Sequence, residues 1–162
     1  MDAAQSALNP EQVRGSTSPM SRSPVMCAQA SPESKRLLVV EDDAQIREAL
    51  ATMLRSEGYG VDVCDNGLRA LERLRAGIAP DAIVLDLNMP VMDGWQLRAE
   101  LRREARWMAI PVVAMSAVDS QASAIEVDAY LRKPFHPREL LVMLQRVLTA
   151  AAAARDHGLV LS

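Results

Sequence analysis

Ala82-Ile83-Val84-Leu85-Asp86-Leu87-Asn88-Met89-Pro90 reads as a short apolar strand that ends on a carboxylate and leaves through a loop. Asp93 then opens a helix, with Gln96 three residues on as in a capping box and Leu97 and Leu101 facing inward. The same strand-then-helix unit recurs on both sides. Upstream, Leu37-Leu38-Val39-Val40 leads into a helix with Ile46, Ala49, Leu50, Met53 and Leu54 on one face and a stop at Gly58. Val61-Asp62-Val63-Cys64 follows, then Asn66-Gly67 and a helix carrying Leu68, Leu71 and Leu74 before Gly77. Downstream, a fourth strand is expected over 110–115, then a weakly helical stretch to Asp128 and a fifth strand at about 129 to 132. The last helix has Pro137 in its first turn and Leu140, Leu141, Leu144, Val147 and Leu148 inside. Five units in this order define an α/β fold, a doubly wound five-stranded parallel sheet over residues 36–150.

Outside that span, residues 1–35 are rich in Ser, Pro, Ala and Gln and too poor in apolar periodicity to offset their ordering entropy, so a disordered N-terminal extension is expected. Met20 and Met26 offer alternative starts, and 151–162 reads as a helix extension with a frayed tail. At 49% hydrophobic and 24% charged the chain fits one globular domain plus tails. A net charge of −3 supplies no general attraction to nucleic acid or anionic lipid, and Arg98, Arg102 and Arg103 read as a solvated helix face. Cys27 and Cys64 form no metal or disulfide spacing, and no run is long and apolar enough for a membrane span. A cytoplasmic location is the expectation, with no membrane and no direct nucleic-acid partner.

In an open parallel sheet the functional crevice lies beyond the carboxyl ends of the strands. The residues ending strands one, three, four and five are Glu41 with Asp42, Asp86, Ser116 and Lys133. Three crowded carboxylates repel one another and call for a cation, and hard oxygen ligands suit Mg2+ better than zinc or copper. With Mg2+ in place, a lysine and a hydroxyl would bind phosphoryl oxygens while a carboxylate attacks in line, leaving an acyl phosphate on an aspartate. Asp43 adjoins the acid pair but sits where the first helix begins, as its N-cap.

The matching pieces Val39-Val40-Glu41-Asp42-Asp43, Asp86-Leu87-Asn88-Met89-Pro90 with Asp93-Gly94, Ser116-Ala117, and Tyr130-Leu131-Arg132-Lys133-Pro134-Phe135 resemble the receiver domain of two-component response regulators, of the stand-alone chemotaxis-regulator type. The resemblance implies a flavodoxin-like receiver fold and a bacterial phosphorelay switch rather than an enzyme. It makes Asp86 the phosphoacceptor and Asp42 a direct metal ligand. Glu41 becomes a metal-site acid acting partly through water, and the Asn88 backbone carbonyl a further ligand. It implies that Ser116 hydrogen-bonds the phosphoryl group, that Lys133 pairs with it, that the bond before Pro134 is cis, and that Tyr130 switches with Ser116. The implied partners are a histidine kinase or histidine phosphotransfer protein and a downstream protein that the sequence does not identify.

The chain departs from that pattern in one place. Only sixteen residues separate Ser116 from Lys133, shorter than most receivers carry and near the minimum for a parallel crossover. A shortened or irregular fourth crossover helix is expected, with the readout surface around it remodelled. Two other readings stand beside the switch: a Mg2+-dependent phosphatase using an aspartyl-phosphate intermediate, and a degenerate receiver acting as a scaffold. The first is disfavoured because Asn88 stands where haloacid-dehalogenase-type enzymes favour a second acid, and because no room remains for a substrate-closing cap. The few residues after the last helix leave no output module expected.

Overall fold

The computed structural model describes residues 34–118 and 125–159. The strands are β1 (Arg36–Val40), β2 (Gly60–Cys64), β3 (Ala82–Asp86), β4 (Val112–Ser116) and β5 (Ala129–Arg132). All pair in parallel, in the order β2-β1-β3-β4-β5. The helices are α1 (Ala44–Ser56), α2 (Gly67–Arg75), α3 (Gly94–Arg103), the short α4 (Ala105–Met108) and α5 (Pro137–Leu159).

Alternate strand residues point to opposite faces. Leu38, Val40, Ile83, Leu85 and Val112 therefore pack with Leu71 and Leu74 of α2 and Leu97 and Leu101 of α3. Leu37, Val39, Val84, Val113 and Met115 pack with Leu50 and Leu54 of α1 and Leu140 and Leu144 of α5. Every residue of β3 and β4 is buried, as central strands covered on both faces must be. Each fully buried Leu or Val side chain contributes about 1.5–3 kcal/mol, so this double layer anchors the strand ends on which the site depends.

The helices α1, α2 and α3 are each capped by a side chain at their N-termini. The Asp43 carboxylate accepts from the Gln45 and Ile46 amides, and the Asn66 side chain accepts from the Arg69 amide. Asp93 and Gln96 form a reciprocal capping box. Each cap contributes about 1 kcal/mol and sets where its loop ends.

Several expectations change in detail. Ile46 and Ala49 are exposed, and the inner face of α1 is Leu50, Ala51 and Leu54. Leu68 is likewise exposed, while Ala70 joins Leu71 and Leu74 inside. Ile46 and Leu68 lie in the first turns of their helices. The fourth strand starts at Val112, and the helix after Asp93 breaks at Glu104, whose extended backbone separates α3 from α4 and lets Trp107 turn into the core.

Arg98 and Arg102 also depart from a purely solvated face. Arg98 Nε donates to the Glu126 carbonyl at 2.7 Å, and Arg102 pairs with the Glu126 carboxylate, so α3 holds the end of the β4–β5 crossover. Of the crossover expected to carry a shortened or irregular helix, 119–124 lie outside the described residues, as do 1–33 of the expected N-terminal extension 1–35. The flanking residues 117–118 and 125–128 carry no helix. The last helix continues through the alanine run at 150–154 to Leu159, and no helix among the described residues is long and apolar enough to cross a membrane.

Candidate functional site

Strand order reverses direction between β1 and β3, and the loops leaving their carboxyl ends part there to open a crevice. β1 delivers Glu41 and Asp42 to it, β3 ends in Asp86, β4 in Ser116, and β5 is followed by Lys133. One oxygen each from Glu41, Asp42 and Asp86 lies within 4.8 Å of the others. Glu41 and Asp86 are buried, at 1% and 4% exposure, while Asp42 is open to solvent. The Lys133 ammonium reaches over both buried acids, 2.7 Å from Glu41 Oε2 and 3.3 Å from Asp86 Oδ2. The Lys133–Pro134 peptide bond is cis.

The approach of α3 depends on Gly94. A Cβ there would lie 2.5 Å from the Asp86 carbonyl oxygen and 2.8 Å from Leu87 Cα, distances no side chain tolerates against backbone. Glycine thus lets the capped end of α3 close directly on the strand end that carries Asp86. Within the same loop Val91 has a φ of 70°, a costly conformation for a β-branched residue.

Hydrogen bonds link the remaining groups. The Asn88 amide donates to Asp86 Oδ1 at 3.2 Å, and its side-chain Nδ2 donates to Ser116 Oγ at 3.2 Å. The Val118 amide donates to the same hydroxyl at 3.1 Å, and Tyr130 Oη donates to the Val118 carbonyl at 2.7 Å. Tyr130 also packs against the cluster of Leu87, Ala114 and Ile125, immediately beside the loop that follows Asp86.

Burial pushes the Glu41 pKa up, against the Lys133 hydrogen bond that lowers it, and the nearby Asp86 charge adds to the rise. Burial also disfavours the Lys133 ammonium. There, however, the Glu41 hydrogen bond and the charges of Asp86 and Glu41 outweigh it, and the pKa ends above the usual lysine value. The Asp86 charge contributes to both rises, although burial is the largest cause for Glu41. Three carboxylates against one contacting ammonium leave room for a cation, and their hard oxygens fit a divalent ion of the Mg2+ kind.

Glu41, Asp42, Asp86, Asn88, Ser116, Lys133 and Tyr130, singled out in the sequence, all converge on this crevice or the loop beside it. Two contributors escaped sequence reasoning. Arg47 NH1 donates to the carbonyls of Glu41 and Asp42, at 2.8 and 3.2 Å. The signal was available: a first-turn side chain leans back toward its helix N-terminus. Ile125, buried against Leu87, lay in a stretch with too little apolar pattern to place.

A doubly wound domain with an acid cluster, a lysine and a buried serine at its carboxyl edge defines a narrow class of protein. The family model for the response regulator receiver domain matches residues 37–145, and the chain belongs to that family. It is 39% identical over 132 residues to the alkaline phosphatase synthesis transcriptional regulatory protein SphR of Synechococcus elongatus, covering 74% of this chain and 50% of that protein. It is similar to the response regulator TrrA of Thermotoga maritima, solved in complex with Mg2+ and BeF, at 31% identity and a TM-score of 0.64 over 70% of this chain and 98% of that one. A sensor histidine kinase receiver domain from Pseudomonas aeruginosa, with a magnesium ion coordinated in its active site cleft, matches at 30% identity and a TM-score of 0.66 over 72% and 98% of the respective chains. The chain spans about half the length of the curated relatives it matches.

Proposed function

We propose that this chain is a phosphorelay switch that takes a phosphoryl group onto Asp86 in a Mg2+-dependent reaction. The observation that carries the reading is the Asp86 carboxylate itself. It is nearly buried, held by the Asn88 amide and the Lys133 ammonium, and faces two further acids. Asp86 attacks the phosphorus of a phosphohistidine on a histidine kinase or phosphotransfer protein. A P–O bond to the carboxylate forms, and the P–N bond breaks with its electron pair leaving on the donor's nitrogen.

Asp42, Glu41 partly through water, Asp86 and the Asn88 carbonyl would hold Mg2+, which supplies charge neutralisation to the phosphoryl oxygens when bound. Lys133 exchanges its carboxylate partners for a phosphoryl oxygen. Ser116 turns its hydroxyl from Asn88 toward the same group, and Tyr130, tied through the Val118 carbonyl, follows that movement. The readout passes to a downstream protein in the cytoplasm, and the working unit is residues 36–150.

Incubation with Mg2+ and acetyl phosphate, followed by intact-mass measurement, tests the reading. One phosphoryl addition that requires Mg2+ and is absent in Asp86→Ala supports it. No addition at any Mg2+ concentration points to a scaffold, and steady turnover of an unrelated phosphomonoester points to a phosphatase.

A further inference from the structure

We infer that Arg47 is a positioning residue for the acid pair: its guanidinium sets the β1–α1 turn so that Glu41 and Asp42 converge on one cation. The inference rests on the metal reading above and extends it to a residue outside the ligand set. The geometry is specific. A single nitrogen, NH1, bridges two successive backbone carbonyls, those of the two acids themselves. It reaches them from the first turn of α1, whose start is already pinned by the Asp43 cap and by the Arg47 amide donating to the Asp43 carbonyl at 2.9 Å.

Asp42 is where such a clamp matters. Glu41 is buried and held by Lys133 and by the Asp43 amide, whereas the exposed Asp42 side chain lacks that packing. Mutual repulsion among the three carboxylates favours swinging the turn outward. Mg2+ demands near-ideal octahedral geometry at about 2.0–2.1 Å, so a small displacement of the turn removes a ligand. Two charge-assisted hydrogen bonds to the turn oppose that displacement.

The sign of one measurement separates this role from its rivals. Arg47 carries positive charge near a cation site, so by charge alone its removal tightens divalent binding. As a stability element alone, its removal leaves the affinity of the folded protein unchanged. As a positioning residue, its removal weakens binding, and changes to groups that orient metal ligands typically cost about 10–100-fold in affinity.

The experiment titrates the whole chain with Mn2+, reading free ion by electron paramagnetic resonance, with Mg2+ as competitor. Wild type is compared with Arg47→Met and Arg47→Gln, the second variant serving if the first does not fold. A dissociation constant at least about tenfold weaker in a variant that keeps its helical circular dichroism is expected. An unchanged or tighter constant overturns the inference while leaving the metal reading intact. Absence of divalent binding by wild type overturns both.

Discussion

Asp81 and Asp86 stand at the two ends of β3 and meet opposite surroundings. Asp81, just before the strand, accepts from the Arg36 amide at 2.9 Å and sits 3.6 and 3.7 Å from Lys35 and Arg155, all partly in water. Asp86, the last strand residue, is buried among like charges, with one lysine shared between it and Glu41. An aspartate that serves structure is surrounded by cations and solvent. On the function proposed above, Asp86 is kept short of them so that Mg2+ would supply the missing positive charge.

The sharpest way to break this contrast is to disturb the close approach at Asp86. In Gly94→Ala the added Cβ meets the Asp86 carbonyl at 2.5 Å, and the resulting overpacking should cost about 3 kcal/mol, read as a lower urea midpoint, with loss of Mg2+-dependent phosphorylation. Lys133→Met comes next. It leaves Glu41 and Asp86 without their shared cation and should cost about 2 kcal/mol at neutral pH. Because the folded lysine pKa is raised, that contribution is fully present below the usual value of 10.5 and is lost only as pH climbs through the folded value. Stability curves of wild type and variant should therefore converge at high pH.

Glu41→Gln sharpens the comparison from the other direction. The raised Glu41 pKa means that its contribution is fully present below 4.5 and is lost as pH rises through the folded value. Metal-free wild type should thus fall below the variant in melting temperature as pH rises toward neutrality. Wild type should then gain about 2.7 kcal/mol from Mg2+ at a hundredfold excess over its Kd, and the variant less. Asp81→Asn should do least, about 0.5 kcal/mol or less in chemical denaturation and no change in phosphorylation, since its ion pairs are solvated.

The Asp86 side of this contrast was legible in the sequence because strand ends are easy to read. The run from Ala82 to Leu85 stops at Asp86, and the switch-point rule brings the other strand ends to it. The helix faces were less legible. Apolar spacing marks Ile46 and Leu68 as inward, but both sit in first turns and are exposed. The break at Glu104 was hidden as well: no glycine or proline marks it, although its extended backbone is what lets Trp107 turn into the core. Arg47 was invisible to a search for carboxylates because it acts on backbone carbonyls. The pairing of Arg98 and Arg102 with Glu126 spans 28 and 24 residues, beyond any local pattern.

The most direct test sets the two ends of β3 side by side. Wild type, Asp81→Asn and Asp86→Asn are treated with acetyl phosphate and Mg2+, the acyl phosphate is reduced with borohydride, and the homoserine formed is located by peptide mass spectrometry. Homoserine at position 86 in wild type and in Asp81→Asn, with none in Asp86→Asn, is the predicted result. Homoserine at any other acid, or an Asp86→Asn protein labelled as fully as wild type, would contradict the assignment of Asp86 as the phosphoacceptor.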